Sequence, residues 1–236
     1  MKTLYLIPSP LSDSPAVEYQ QFFTPVIDCL KLFIVENAKK ARANLKQLGI
    51  KQKIQDCTLI EYAEIIEQKN IKHYLEQLFN DHSEIGLLSD AGCPAIADPG
   101  SEIVYAAHAL GINVVPLIGP NSITLALMAS GFCGQRFSFH GYLPKEKPER
   151  MDRLRYLESL SKKLDQTQIW IETPYKAKHT LNDCIECLQN TTKLCLGIEL
   201  TGLTQTIISQ SISDWKDSAL PDLEKKNVVF LMHANV

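Results

Sequence analysis

From Thr3 to Leu117 short apolar segments alternate with stretches of helical periodicity, and this rhythm constrains the fold more than any other feature of the chain. TLYLI (3–7), LFIV (32–35), TLI (58–60), EIGLL (84–88) and NVVPL (113–117) have the length and the β-branched or aromatic content of buried strands. Between them, 22–30, 39–48, 62–79 and 102–110 carry helical spacing, with 62–79 read as containing one long amphipathic helix. Gly49 and Gly111 stand where helices close. Alternation of this kind builds an α/β domain on a largely parallel sheet.

After Gly119-Pro120 the alternation resumes with different spacing. Helices are expected at 121–130 (Asn121 or Ser122 as N-cap), 150–161, 177–188 and, from Trp215, in one short turn. Strands are expected at 137–139, 168–171, 193–198 and 227–232. The sequence therefore predicts two α/β domains, 1–117 and 118–236, with largely parallel or mixed sheets and a small-molecule cleft between them.

In such folds ligands bind beyond the carboxyl ends of the strands. The special residues fall there. Pro8, Ser9, Pro10, Ser12, Asp13 and Pro15 follow the first strand, and Glu36-Asn37 follow the second. SDAGCPAIADPG (89–100) follows the fourth, with Gly92 and Gly100 free to take unusual dihedrals, Pro94 and Pro99 stiffening the loop, and Asp90 and Asp98 supplying short carboxylates.

Several function classes drop out. There is no G-x-x-x-x-G-K-[ST], no G-x-G-x-x-G and no G-x-S-x-G, which removes P-loop, dinucleotide-fold and serine-hydrolase readings. The six histidines show no metalloprotease spacing, so no metal site is expected. The seven scattered cysteines suit reduced thiols, and Cys184 and Cys187, on an expected helix, read as packing residues. No apolar run is long enough to span a membrane. The first residues read as a mature strand and not a secretion signal, because Pro8 and Pro10 interrupt them, so a cytoplasmic location is expected. With a net charge of −3, contact with nucleic acid has to be local. Two basic stretches qualify: Lys39, Lys40, Arg42 and Lys46, and Lys145, Lys147, Arg150, Arg153 and Arg155. Both fit a solvated helix face equally well.

Six segments in order, LYLIPSPLSD (4–13), SDAGCPAIADPG (89–100), VVPLIGPNS (114–122), FSFHGYLP (137–144), ETPYK (172–176) and IELT (198–201), resemble the tetrapyrrole-methylase superfamily of S-adenosylmethionine-dependent methyltransferases. Within it they are most similar to the branch that 2′-O-methylates a cytidine of bacterial small-subunit ribosomal RNA; the corrinoid and porphyrin enzymes carry a G-D-P version of the SDAG run. The resemblance implies a two-domain α/β fold, a cofactor folded in the cleft and a homodimer. It implies cofactor contacts at Leu11, Ser89, Asp90, Ala91, Gly92, Ile96, Asn121, Ser122, Tyr142, Glu199, Leu200 and Thr201. Two loops depart from the branch: Ser9-Pro10-Leu11-Ser12-Asp13 stands for T-P-I-G-N, and Glu36-Asn37-Ala38-Lys39 for E-D-T-R.

Methyl transfer from a sulfonium needs nucleophile, methyl and sulfur held in line. A ribose hydroxyl also benefits from a general base. Glu36, Asp90, Glu172 and Glu199 stand at strand ends, and Glu36 and Glu172 are the catalytic candidates; Lys39 and Lys176 are candidates for binding a substrate phosphate. His140 reads as facing a polar surface, Phe137, Phe139 and Tyr142 as core or pocket walls, and Trp170 and Trp215 as structural. Three readings stay open: methylation of ribosomal RNA or the small subunit, carbon methylation of a tetrapyrrole, and a cofactor-binding module without turnover.

Overall fold

The structure is a computed structural model that describes residues 1–13, 23–68 and 70–234. Pro15 and Phe22 lie outside the described residues. The chain divides into two compact units, Met1–Asn121 and Ser122–Val236.

The N-terminal unit is built on a five-stranded sheet of β1 (Thr3–Ile7), β2 (Leu32–Val35), β3 (Thr58–Glu61), β4 (Glu84–Leu88) and β5 (Asn113–Pro116) in the order β3-β2-β4-β1-β5. Every pairing is parallel. Residues 23–27 are helical. The other helices are α1 (Ala38–Gln47), α2 (Tyr62–Ile66), α3 (Ile71–Asp81) and α4 (Ser101–Ala109). The amphipathic helix expected within 62–79 is α3, and the short α2 precedes it as a separate helix. Asn70 takes extended backbone and caps α3 by accepting from the His73 N–H, so a new helix starts there. Strand side chains alternate between faces: Phe33 and Val35 pack with Ile7 and Leu88 beneath α1, while Ile34, Ile85 and Leu87 pack on the other face with α3 and α4. Gly86 sits where a Cβ would come within 2.7 Å of Phe33, so its small size lets the two layers close.

The C-terminal unit has a mixed sheet of β6 (Phe137–Tyr142), β7 (Thr167–Glu172), β8 (Lys193–Ile198), β9 (Thr206–Ser211) and β10 (Val228–His233) in the order β6-β7-β10-β8-β9. Only β6 and β7 run parallel to each other as neighbours. Its helices are α5 (Ser122–Ser130), α6 (Lys147–Leu164), α7 (Ala177–Cys187) and α8 (Ile212–Asp217). α6, α7 and α8 cover one face of the sheet around Trp170 and Phe230, and α5 covers the other. β6 outruns its expected end at Phe139 because a bulge between Phe139 and Tyr142, with Gly141 at φ +64°, re-enters the pairing. β9, TIISQS, has no counterpart among the expected strands. α8 starts three residues before Trp215, at a capping box of Ser211 and Asp214.

Candidate active site

In the first sheet Leu88 pairs with both Ile7 and Val35, so Pro8, Glu36 and Ser89 leave three adjacent strands side by side. β1 turns off toward β2 across β4, and β4 toward β5 across β1; this order reversal is where ligands of open parallel sheets bind. The two loops are tied together. Ser9 and Gly92 exchange N–H···O bonds of 2.8 and 3.0 Å, and the Ser9 hydroxyl donates to the Ser89 carbonyl at 2.6 Å. Gly92 is at φ +73°, and a Cβ there would meet Leu11 at 3.3 Å.

Helix α1 fixes both loops with one stripe spaced i, i+4, i+7. Lys40 pairs with the Asp90 carboxylate at 3.0 Å, Asn44 donates to the Asp90 carbonyl at 3.0 Å, and Gln47 donates to the Ser12 carbonyl at 2.9 Å. Lys40 thus leaves the basic stretch that the sequence offered for nucleic acid. Glu36 accepts the Asp90 N–H at 3.1 Å. Asn37, the amide in place of the branch's acid, accepts from the N–H groups of Lys39 and Lys40, and Glu61 accepts from Ala38 at 2.9 Å. These side chains occupy the first amides of α1, so that helix end offers no phosphate cradle. Lys39 is exposed one residue into the helix.

Of the expected cofactor positions in this unit, Leu11, Ser89, Asp90, Ala91 and Gly92 stand together in the strapped loops. Ile96, 48% exposed, is further along the same loop. Asn121 joins them through a side-chain bond to Cys93, whose Sγ also lies 3.5 Å from the Pro120 carbonyl. Asp98, the second short carboxylate of this loop, is half-buried. Burial, then the negative charge of Glu36, pushes its carboxyl up to about 6, against a hydrogen bond from Ser89. The edge therefore presents carboxylates and carbonyls beside the apolar Leu11 and Ile96, which suits a ligand with cationic and hydroxyl groups and an apolar ring.

In the second sheet Val228 pairs with both Glu172 and Ile198, so the ends of β7 and β8 are level, with the end of β6 beside them. Tyr142 is 61% exposed there, and Phe137 is exposed at the other end of the strand, so neither is core; Phe139 packs against the α5 layer. Glu199, Leu200 and Thr201 form the β8–β9 turn: the Glu199 carboxylate accepts the Asn227 N–H at 2.6 Å and Leu200 is buried. Ser122 opens α5. Glu172 points into the helical layer, 7% exposed, and accepts from the Thr180 hydroxyl at 3.1 Å. Burial pushes its carboxyl up, while Thr180 and the charges of Arg150 and Lys176 pull it down. Lys176 is the half-buried residue before α7.

The second basic stretch does not survive as a patch. Arg150 is 6% exposed, bonded to Asp183 at 2.6 and 2.7 Å and to the carbonyls of Pro144 and Lys145. Lys147 pairs with Glu186, and Arg153 lies against His140 and the Tyr156 ring. His140 is half-buried between Arg153 and Gln168 and not on an open polar surface, and burial lowers its pKa. Cys184 is buried in α7 and its thiol is pushed well above the usual range, so the C-x-x-C carries no reactive thiolate.

Six non-glycine residues have positive φ among the described residues: Ala95, Ala97, Asp165, Glu199, Thr201 and Lys225. Four of these lie in the two loops where cofactor contact is expected, 89–100 and 199–201. Left-handed backbone costs such residues roughly 1 kcal/mol or more and concentrates at ligand sites.

No family model matches the chain. It is 29% identical over 232 residues to "Ribosomal RNA small subunit methyltransferase I" of Vibrio cholerae, covering 98% of this chain and 76% of that protein. It is 32% identical over 214 residues to the protein of the same name from Bacillus subtilis (91% and 69%). To the one from Thermotoga maritima it is 31% identical over 195 residues (83% and 81%). Among solved structures it is similar to the methyltransferase CobJ, with a TM-score of 0.56, 15% identity and coverage of 99% of this chain and 93% of that one; this likeness speaks for the fold.

Proposed function

The chain belongs to the family of ribosomal RNA small subunit methyltransferase I, in the tetrapyrrole-methylase superfamily, and we propose that it methylates small-subunit ribosomal RNA with S-adenosylmethionine, at a ribose 2′-hydroxyl. The observation that carries this reading is the placing of left-handed backbone at Ala95, Ala97, Glu199 and Thr201, within the two strand-end loops where cofactor contact is expected. The donor set fits such a cofactor. Asp90 and the loop carbonyls suit its cationic group and ribose hydroxyls, and Leu11 and Ile96 suit an adenine face. When bound, it supplies an electrophilic methyl on a good leaving group.

The chain's own work is then alignment and one proton. The Ser9–Gly92 strap and the α1 stripe of Lys40, Asn44 and Gln47 hold the loop against displacement, and alignment of this sort contributes about 7–11 kcal/mol to such reactions. Asp98, with a carboxyl titrating at about 6 beside Glu36, is ionised at neutral pH yet basic enough to take a hydroxyl proton. We assign the base to this pair and read Glu172 as a group that anchors α7 through Thr180. Lys39 and Lys176 remain the proposed phosphate contacts, and the protein is proposed to act in the cytoplasm as a homodimer. No helix of the described residues is long and apolar enough to cross a membrane.

The test combines calorimetry with S-adenosylmethionine and its demethylated product, and transfer of labelled methyl to small subunits from a strain lacking this protein. Binding plus label in a 2′-O-methylnucleoside is expected. Label on a base or on a tetrapyrrole overturns the acceptor, and absence of any binding overturns the cofactor.

A further inference from the structure

Among the described residues of the C-terminal unit, the four most exposed large apolar side chains are Leu203, Met128, Tyr175 and Tyr142, from 96% for Leu203 to 61% for Tyr142. All but Met128 stand at one sheet edge, where β6, β7 and β8 end. Single exposed apolar residues are ordinary, but several at one edge mark a contact surface. The turn that carries Tyr175 is firmly held. Residues 173–176 are closed by the Lys176 N–H on the Thr173 carbonyl at 2.9 Å, with Pro174 fixing the second position. β7 anchors this turn on one side and the fully buried Ala177 on the other. Tyr175 is 78% exposed, and neither its ring nor its hydroxyl has a specific partner among the described residues. Cations border it. The segment TPYKAKHTLN (173–182) has Lys176, Lys178 and His179 and no acid. The carboxylates that bracket the segment, Glu172 and Asp183, are buried on Thr180 and Arg150. Lys178 is exposed and enters no ion pair among the described residues.

We propose that a base of single-stranded RNA stacks on the Tyr175 ring while Lys178 holds a phosphate of the same strand, an inference that rests on the ribosomal-RNA reading above. A flat aromatic face bordered by cations matches a ligand that joins flat rings to a negative backbone. Because the turn is already rigid, little ordering is lost when a base settles on it. An RNA duplex offers no open ring face, so the contact selects unpaired nucleotides. Two copies of this chain meeting here across a twofold axis would bring the same cations together, which favours a polyanion as the occupant. A chain of net charge −3 has no long-range attraction to RNA, and stacking adds affinity that salt does not screen.

The test uses the full chain and its Tyr175→Ala, Tyr175→Phe and Lys178→Gln variants. Binding is measured by fluorescence anisotropy across a salt series, on a single-stranded oligonucleotide of small-subunit ribosomal RNA and on the same strand annealed to its complement. Quenching of 2-aminopurine placed in the single strand reports stacking. Tyr175→Ala is expected to bind the single strand on the order of 10-fold more weakly and to lose the quenching, with salt exponent and thermal midpoint unmoved. Tyr175→Phe restores both signals. Lys178→Gln keeps the quenching and lowers the salt exponent by about 0.7, the share of one phosphate on a single strand. Unchanged affinity in Tyr175→Ala, or an equal loss on single strand and duplex, overturns the stack while leaving methyl transfer to ribosomal RNA standing. A Tyr175→Ala protein whose sedimentation changes while its RNA affinity does not gives the edge to a second copy and overturns the stack. A wild-type protein that stacks the oligonucleotide through Tyr175 yet methylates no ribosomal RNA keeps the stack and overturns the acceptor. A wild-type protein that binds no single strand overturns the stack.

Discussion

In the N-terminal unit three carboxylates, Glu36, Asp90 and Asp98, gather at a loop edge with one cation, Lys40, between them. In the C-terminal unit Glu158, Glu172 and Asp183 are each less than a tenth exposed, and each is held by its own donors: Thr192 and Gln189, Thr180, and Arg150. The sheets explain the contrast. An all-parallel sheet sends β1, β2 and β4 to the same edge, so their polar termini accumulate there. A mixed sheet divides its loops between two edges, and its acids serve to seat helices α6 and α7. Partial burial, then the negative charge of Glu36, raises the Asp98 carboxyl to about 6, whereas carboxylates buried one by one with their own donors serve as struts.

The sharpest way to break this comparison is Asp98→Asn. If Asp98 takes the proton, methyl transfer falls by about 10²–10⁴-fold. In the wild type the rate rises with pH through about 6 and levels above it, a limb that the variant lacks. Stability moves the other way. The folded-state value lies above the unfolded one, so the native protein binds the extra proton between pH ~4 and ~6, and the unfolding free energy drops as pH rises across that window. Asp98→Asn therefore stabilises at pH 8 and not below pH 4, which urea titrations at the two pH values will read. A loss of stability at pH 8 would place Asp98 among the struts.

Next in size is Arg150→Met, which strands the Asp183 carboxylate in the core and is expected to cost about 3–5 kcal/mol in urea unfolding. Arg150→Met combined with Asp183→Leu recovers most of that loss. An unmoved midpoint in the single variant means the pair is no strut. Smaller effects sharpen the picture of the N-terminal unit. Asn37→Ala removes the α1 cap for about 1 kcal/mol, and Asn37→Asp, which restores the branch's residue, keeps it; thermal melts will separate the two. Smallest, Ala97→Gly relieves a left-handed alanine and is expected to raise stability by roughly 0.5–1 kcal/mol, while weakening cofactor binding by calorimetry if the strained shape is the one the ligand uses.

Elements with strong local periodicity were legible: β4 and β8 begin and end where the sequence placed them, and the loop at Ser89 follows β4 as expected. β9 escaped because TIISQS mixes Ser and Gln into an edge strand with one partner, where hydrophobic alternation is weak. Periodicity places an amphipathic helix within 62–79 without fixing its start, because apolar spacing also runs through α2; the Asn70 cap marks where α3 begins.

By itself the sequence determined what depends on neighbours along the chain: the two α/β halves, the strand-end loops and their motif residues, and the family these residues indicate. Tertiary structure decided what depends on partners far apart in sequence. It turned Lys40 toward Asp90, buried Arg150 on Asp183 and brought Glu36 beside Asp98. The reason is that a side chain's charge, exposure and pKa are set by what packs within a few ångströms of it, and for most of these groups that neighbour is fixed only when distant segments meet.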